Sequence, residues 1–204
     1  MQEVPSFLNV TWSDIDELSL CLAERIVASG FKPDAIVGIM RGGWIPARIL
    51  SDLLGVETLD AIEIKFYRGI GETREKPVIT RPPLADLRDK SVLLVDDVSD
   101  TGKSLSVAVS ALVLLGPARI KTATLYVKPW TMSVPDYYAA TTESWIIFPW
   151  EKGEILGEVA EYASKLGKDP LEFIVDRLGF PRRYVERISR VRGIKLLDQG
   201  GQDQ

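Results

Sequence analysis

The sequence predicts an α/β fold: a parallel sheet flanked by helices, with a helical extension at the C-terminus. Short apolar stretches of strand length alternate with amphipathic stretches of helix length through residues 11–128, the pattern of a parallel sheet. Three residues suited to chemistry, Arg41, Asp96 and Lys128, fall at the C-terminal ends of predicted strands. In an open parallel sheet that is the edge where ligands bind.

Thr11–Ser29 reads as a helix, with Ile15, Leu18, Leu22 and Ile26 on one apolar face, Ser13 placed as its N-cap and Gly30 just past its end. Cys21 lies within it as core filler. Ala35–Met40 is a buried strand, Ile45–Leu54 a helix ended by Gly55, and Ala61–Phe66 a second strand. Residues Tyr67–Pro83 are polar, rich in Gly, Arg and Pro, and show no period. They read as a long loop carrying Arg68, Arg74, Lys76 and Arg81 against Glu72 and Glu75. Then come a strand Val92–Val95, a helix Leu105–Leu115 stopped by Gly116-Pro117, and a strand Ile120–Lys128. From Gly153 the composition changes, and Ile155–Leu166, Pro170–Leu178 and Arg182–Val191 read as three short helices. The tail Asp198–Gln204 reads as disordered.

The most informative segment is Ser91–Ser104, SVLLVDDVSDTGKS. An apolar strand runs into two adjacent carboxylates, Asp96 and Asp97, and then into a turn of small residues at a helix start. Free backbone N–H groups and the helix dipole make such a turn an anion site. The acids cannot face phosphate; they suit sugar hydroxyls or a metal ion beside it. The segment therefore specifies a sugar phosphate. It is not a Walker A loop, because Asp97 stands where G-x-x-x-x-G-K-[ST] requires the first glycine.

Composition narrows the chemistry further. The chain of 204 residues is 46% apolar and 26% charged, ordinary for a globular protein. Its net charge of −4 argues against nucleic acid and anionic membranes as general partners. The absence of histidine excludes Ser-His-Asp and Cys-His triads and His-ligated zinc. With Cys21 the only cysteine, an intrachain disulfide and a structural zinc site are excluded too. Chemistry is left to carboxylates, Lys, Arg, backbone amides and an oxygen-liking cation such as Mg2+. No leader pattern and no run of the ~18 apolar residues of a membrane span is visible, so a cytoplasmic location is expected.

The Ser91–Ser104 segment resembles the phosphoribosyl-pyrophosphate (PRPP) signature of the type I phosphoribosyltransferases. That resemblance covers roughly Ala35–Glu151. It implies the fold of that family, a parallel sheet flanked by helices with a small hood, in a domain spanning residues 1–152, followed by the helical extension 153–197 and the tail 198–204. It also implies that Asp96 and Asp97 bind ribose hydroxyls and that Thr101, Gly102, Lys103 and Ser104 cradle the 5′-phosphate, helped by Ser99 and Asp100. Met40-Arg41-Gly42-Gly43 matches the family's pyrophosphate loop, in which the peptide bond before the arginine is often cis. In the family the loop at Tyr67–Pro83 closes over PRPP and excludes water. Lys128-Pro129 and the run Trp145–Glu151 look like the purine site of the 6-oxopurine members. Lys128 then faces the C6 oxygen, Trp145 stacks on the base, and the backbone of Ile146 reads its edge. Asp97 and Glu151 are the implied metal ligands, for Mg2+. Asp100 matches the position facing N7 of the purine and is the expected catalytic residue, handling the base's proton.

The implied activity is transfer of ribose 5-phosphate from Mg-PRPP to N9 of guanine, hypoxanthine or xanthine, in purine salvage, by a homodimer or higher homo-oligomer. Two alternatives stay open. An adenine enzyme could be built on the same scaffold. A PRPP- or nucleotide-sensing regulator could bind nucleic acid through Phe180–Lys195, which holds Arg182, Arg183, Arg187, Arg190, Arg192 and Lys195 against Glu186 alone. There Tyr184, Ile188 and Val191 are expected to share the apolar face.

Overall fold

The computed structural model describes residues 6–67 and 76–196. They form two compact units, one of residues 13–143 and one of residues 6–12 with 144–196. Residues 144–152, placed above in the first domain, thus cluster with the C-terminal helices.

In chain order the elements are β1 (Phe7–Asn9), α1 (Trp12–Ala28), β2 (Ala35–Met40), α2 (Trp44–Leu53), β3 (Thr58–Tyr67), β4 (Lys76–Arg81), β5 (Ser91–Ser99) and α3 (Lys103–Val113). They continue with β6 (Arg119–Val127), β7 (Tyr137–Thr141), β8 (Trp145–Ile147), α4 (Lys152–Lys165), α5 (Pro170–Leu178) and α6 (Arg182–Arg192). Among the described residues no helix is long and apolar enough to cross a membrane.

The first unit is built on a six-stranded sheet ordered β4-β3-β2-β5-β6-β7. All its pairings are parallel except β3 with β4. β2 and the first half of β5 are buried on both faces, which is why they read as unbroken apolar runs. Ala35, Val37 and Ile39 with Val92 and Leu94 pack under Leu105, Ala108 and Leu112 of α3. On the opposite face α2 approaches so closely that a Cβ at Gly38 would lie 2.9 Å from that of Ala47. From β2 the chain winds outward to β3; from β5 it winds the other way, to β6. The boundary between β2 and β5 is therefore the switch point at which open α/β sheets bind ligands.

Several elements differ from expectation. The stretch 67–83 is not a continuous loop: β4 pairs with β3, Tyr67 opposite Lys76 and Phe66 opposite Pro77. Arg68, Glu72, Arg74 and Glu75 lie outside the described residues, as does the tail from Asp198. β5 runs four residues past Val95 and takes Asp96 and Asp97 into the sheet. α1 starts at Trp12, which puts Ser13 inside its first turn, and Cys21 is only half-buried. The short strands β1 and β7 carried no readable signal.

The second unit pairs β1 with β8 in parallel beneath α4, α5 and α6. Its core gathers Ile147, Leu156, Ala163, Ile174, Leu178 and Val185. α5 is punctuated as its sequence suggests: Asp169 accepts a hydrogen bond from the Glu172 amide at 2.9 Å, Pro170 opens the helix, and Gly179 closes it at φ 67°. α6 buries Val185 and Ser189, whereas Val191 is 85% exposed, so the apolar face expected through Tyr184, Ile188 and Val191 is displaced. The arginines of α6 are solvent-facing, and Arg182 pairs with Glu172.

Candidate active site

The switch point brings together segments far apart in sequence. β2 ends at Met40, and the Met40–Arg41 peptide is cis, as the resemblance implied. The Arg41-Gly42 turn then passes against the acid pair: a Cβ at Gly42 would lie 1.7 Å from Oδ2 of Asp97. Gly43 sits deeper, and a Cβ there would meet the Val95 carbonyl oxygen at 2.6 Å and the Asp96 Cα at 2.7 Å. No other residue type fits these two positions without moving β5 or its carboxylate.

Arg41, Gly42 and the continuous run from Asp96 to Leu105 line a cleft of about 440 Å³, walled also by Ile64 and Phe66. Gly43 is not in its lining; its part is to let the chain turn beneath it. The two acids are not equivalent. Alternation along β5 gives Asp96 the face of Val92 and Leu94, under α3, and turns Asp97 toward Gly42. Asp96 is buried, and its Oδ1 accepts from the Asp97 amide at 3.0 Å. Burial, and then the charge of Asp97, pushes its carboxyl well above the usual range. A buried acid beside a second acid is poised for hydroxyls or a cation.

The turn after β5 is an anion cradle. Gly102 adopts the left-handed conformation at φ 80° and leads into α3, whose start no side chain caps. The Lys103 amide makes only a long contact to the Thr101 hydroxyl, at 3.5 Å, and the start of α3 turns its dipole toward the cleft, where it favours an anion. Thr101, Lys103 and Ser104 border the same cleft.

The segment after β6 fastens to this cradle. The Lys128 amide donates to the Ser99 carbonyl at 3.0 Å and the Met132 amide to that of Thr101 at 3.2 Å. The Ser99 hydroxyl bonds to that of Thr131 at 2.9 Å and donates to the Ser133 carbonyl at 2.9 Å. A Cβ at Gly102 would lie 2.6 Å from the Ser133 amide nitrogen, so glycine is required there for close approach as well as for its φ. Lys128 is 7% exposed, and its ammonium lies 5.5 Å from the Trp130 ring centroid. Burial lowers its pKa from the usual lysine value, against the opposing pull of Asp100. The Trp130 indole N–H donates to Oδ1 of Asp100 at 2.8 Å. Trp130, Thr131 and Ser133 were not singled out from the sequence. The signal for Trp130 was its place, two residues past Lys128 on the strand end beside that of Asp100.

The chain matches the family model of the phosphoribosyl transferase domain over residues 12–154. It belongs to the phosphoribosyltransferase family. It is accordingly a pentosyltransferase, and its sheet is the type I phosphoribosyltransferase sheet. It is 36% identical over 152 residues to a xanthine-guanine phosphoribosyltransferase of Cereibacter sphaeroides, covering 70% of this chain and 86% of that protein. A second protein of that name, from Ruegeria sp., is 32% identical over 155 residues, covering 70% of this chain and 84% of its own length. Among solved structures, a purine phosphoribosyltransferase from Pyrococcus horikoshii is 50% identical, covers 71% of this chain and 93% of its own, and superposes with a TM-score of 0.65.

Three of the expected base-site and metal-site residues fall in the other unit. Trp145, Ile146 and Glu151 belong to the second unit. Trp145 is half-exposed and, with Phe7 and Tyr162, lines a hollow of about 380 Å³ within that unit. Ile146 is buried in β8. Glu151 Oε1 accepts from the Phe148 amide at 3.2 Å, closing a local turn. Among the described residues no group of three or more His, Cys, Asp or Glu could hold a metal by itself. The donor set still suits magnesium, which takes one or two carboxylates and completes its shell with substrate oxygens. Asp96, Asp97 and Asp100 are the carboxylates that border the cleft.

Proposed function

We propose that the protein transfers the 5-phosphoribosyl group of PRPP to N9 of a 6-oxopurine, releasing pyrophosphate. The observation that carries this is the junction of β2 and β5. It sets Gly42 against Asp97 and gathers Arg41, the two acids and the start of α3 around one cleft. A pyrophosphate site, a ribose site and a phosphate site are then contiguous. Asp96 and Asp97 hold the ribose hydroxyls, and the turn Thr101–Ser104 with the α3 amides takes the 5′-phosphate. Arg41 offers a two-pronged donor to the pyrophosphate. Asp96 and Asp97 would be the residues to hold magnesium, and a cation there would supply positive charge that favours the leaving group.

In the transfer, the C1′–oxygen bond to pyrophosphate breaks as the bond from N9 to C1′ forms. The base must lose a proton, and the Asp100 carboxylate takes it at N7. Lys128 donates to the oxygen at C6. Adenine carries an amino group there, and a protonated lysine would meet another donor. The lysine therefore favours the oxopurines, the substrate type named for the curated relatives.

Initial rates with guanine, hypoxanthine, xanthine and adenine, at fixed PRPP and magnesium, test the assignment. At least one oxopurine should exceed adenine tenfold. Adenine turning over fastest would overturn the choice of base, and no turnover of any base would overturn the reaction.

A further inference from the structure

The geometry points to Trp130 as a positioning residue, which aims the Asp100 carboxylate and the Lys128 ammonium at one and the same base. The inference rests on the roles of Asp100 and Lys128 given above and adds the group that makes them act together. Asp100 stands on an exposed turn, where a short acidic side chain samples several rotamers. The indole N–H fixes Oδ1 at 2.8 Å and leaves Oδ2 for the proton. A lysine or arginine in that place would hold the carboxylate as firmly, but its charge would favour the ionised form and make it a poorer proton acceptor. A neutral donor orients without that cost. The same indole attracts the Lys128 ammonium, 5.5 Å from its centroid. It thereby stands against both charged groups and keeps each presented to the base.

The indole is itself held. Trp130 lies in a segment pinned to the phosphate cradle at its flanks: the Thr131 amide donates to the Lys128 carbonyl at 3.1 Å, and the Met132 amide to the Thr101 carbonyl at 3.2 Å. Ser99 reaches both Thr131 and Ser133. Yet Trp130 is 53% exposed, so packing does not account for its position. An aromatic fixed at the backbone, half in solvent and bonded to the proton-handling acid, is placed for the site.

The test compares Trp130→Phe, Trp130→Leu and Trp130→His, each alone, with Trp130→Phe also combined with Asp100→Asn. Phenylalanine keeps a ring for Lys128 and loses the N–H; imidazole Nε2 occupies the ring position of indole Nε1 and keeps a donor. Trp130→Phe should lower kcat about tenfold, leave KM for PRPP within twofold and leave the unfolding midpoint unchanged. Trp130→His, assayed at pH 8 where its imidazole is neutral, should recover most of that loss. Trp130→Leu should in addition raise KM for the oxopurine. In the Asp100→Asn background the phenylalanine change should cost less than twofold, because the group it acts through is gone. Wild-type kcat in Trp130→Phe, or an equal loss in both backgrounds, overturns the positioning role. If Asp100→Asn alone keeps wild-type kcat, the proton-handling reading of Asp100 fails, and the role built on it falls with it.

Discussion

Gly42 and Asp97, 55 residues apart in sequence, are in such close contact that a single added methyl group on the glycine would overlap the carboxylate, at 1.7 Å from its Oδ2. The Arg41-Gly42 turn and the Asp97 carboxylate are thus one mechanical unit. The neighbouring glycine differs in kind, since at Gly43 the obstruction is backbone: the Val95 and Ile39 carbonyls and the Asp96 Cα.

That contrast predicts two different failures. In Gly42→Ala the obstructing atom is the end of a side chain that can swing aside, so the fold should survive and the acid should be displaced. KM for PRPP should rise at least tenfold with an unfolding midpoint near that of the wild type. In Gly43→Ala no side chain can yield, and overpacking should cost about 1–3 kcal/mol, seen as a midpoint several degrees lower. Wild-type PRPP affinity in Gly42→Ala, or wild-type stability in Gly43→Ala, would contradict the geometry.

The buried Asp96 gives a prediction with a sign. Burial first, and then Asp97, raises its pKa in the folded protein. Its contribution to stability is therefore present below the unfolded value of about 3.9 and is lost as pH rises through the folded one. Asparagine is neutral at every pH and nearly the same shape. Free Asp96→Asn protein should be more stable than the wild type at pH 7–8, with the difference shrinking toward pH 4, while PRPP affinity falls at least tenfold. Thermal unfolding across that range checks it; a constant gap between the two proteins would mean that Asp96 is not held uphill by the fold.

The second unit offers a plain stability test. Asp169→Ala removes the acceptor for the Glu172 amide at the start of α5. It should destabilise by about 1 kcal/mol, within the 0.5–2 typical of such caps. A midpoint equal to the wild type would show that this cap is redundant.

What the sequence made legible follows from how far a signal must reach. β2 and β5 were readable because burial on both faces demands unbroken apolar runs. α5 was readable because Asp169, Pro170 and Gly179 punctuate it locally. β4 was hidden: Val78 is 43% exposed and Ile79 38% exposed, so this edge strand shows no buried face to alternate against. At the site, Asp96 to Ser104 could be read as a block because they are consecutive. The contacts of Gly42 with Asp97 and of Trp130 with Asp100 depend on which strands lie side by side, which local pattern does not encode. The inequality of Asp96 and Asp97 has no local signal: it arises because β5 runs on to Ser99, so that the two carboxylates leave the strand on opposite sides and reach the shared cleft from unequally buried positions.

Lys128 supplies the prediction on which the choice of base depends. As a charged donor to the C6 oxygen it should contribute about 1.5–3 kcal/mol, so Lys128→Ala should lose roughly ten- to a hundredfold in kcat/KM with guanine or hypoxanthine. Residual activity with adenine should hold or rise, because the mismatched donor has gone. Burial has lowered the pKa of this lysine, and the donor loses its charge, and with it most of its strength, as the proton leaves. The alkaline limb of kcat/KM for an oxopurine should therefore fall at a lower pH than an ordinary lysine would give. Lys128→Arg, which stays charged throughout, should move that limb upward even if its fit to the base is poorer. An alkaline limb that stays in place in Lys128→Arg would assign it to some other group. Undiminished guanine activity in Lys128→Ala would remove the lysine from the base site altogether, leaving the ribose and phosphate assignments standing on Asp96, Asp97 and the α3 cradle.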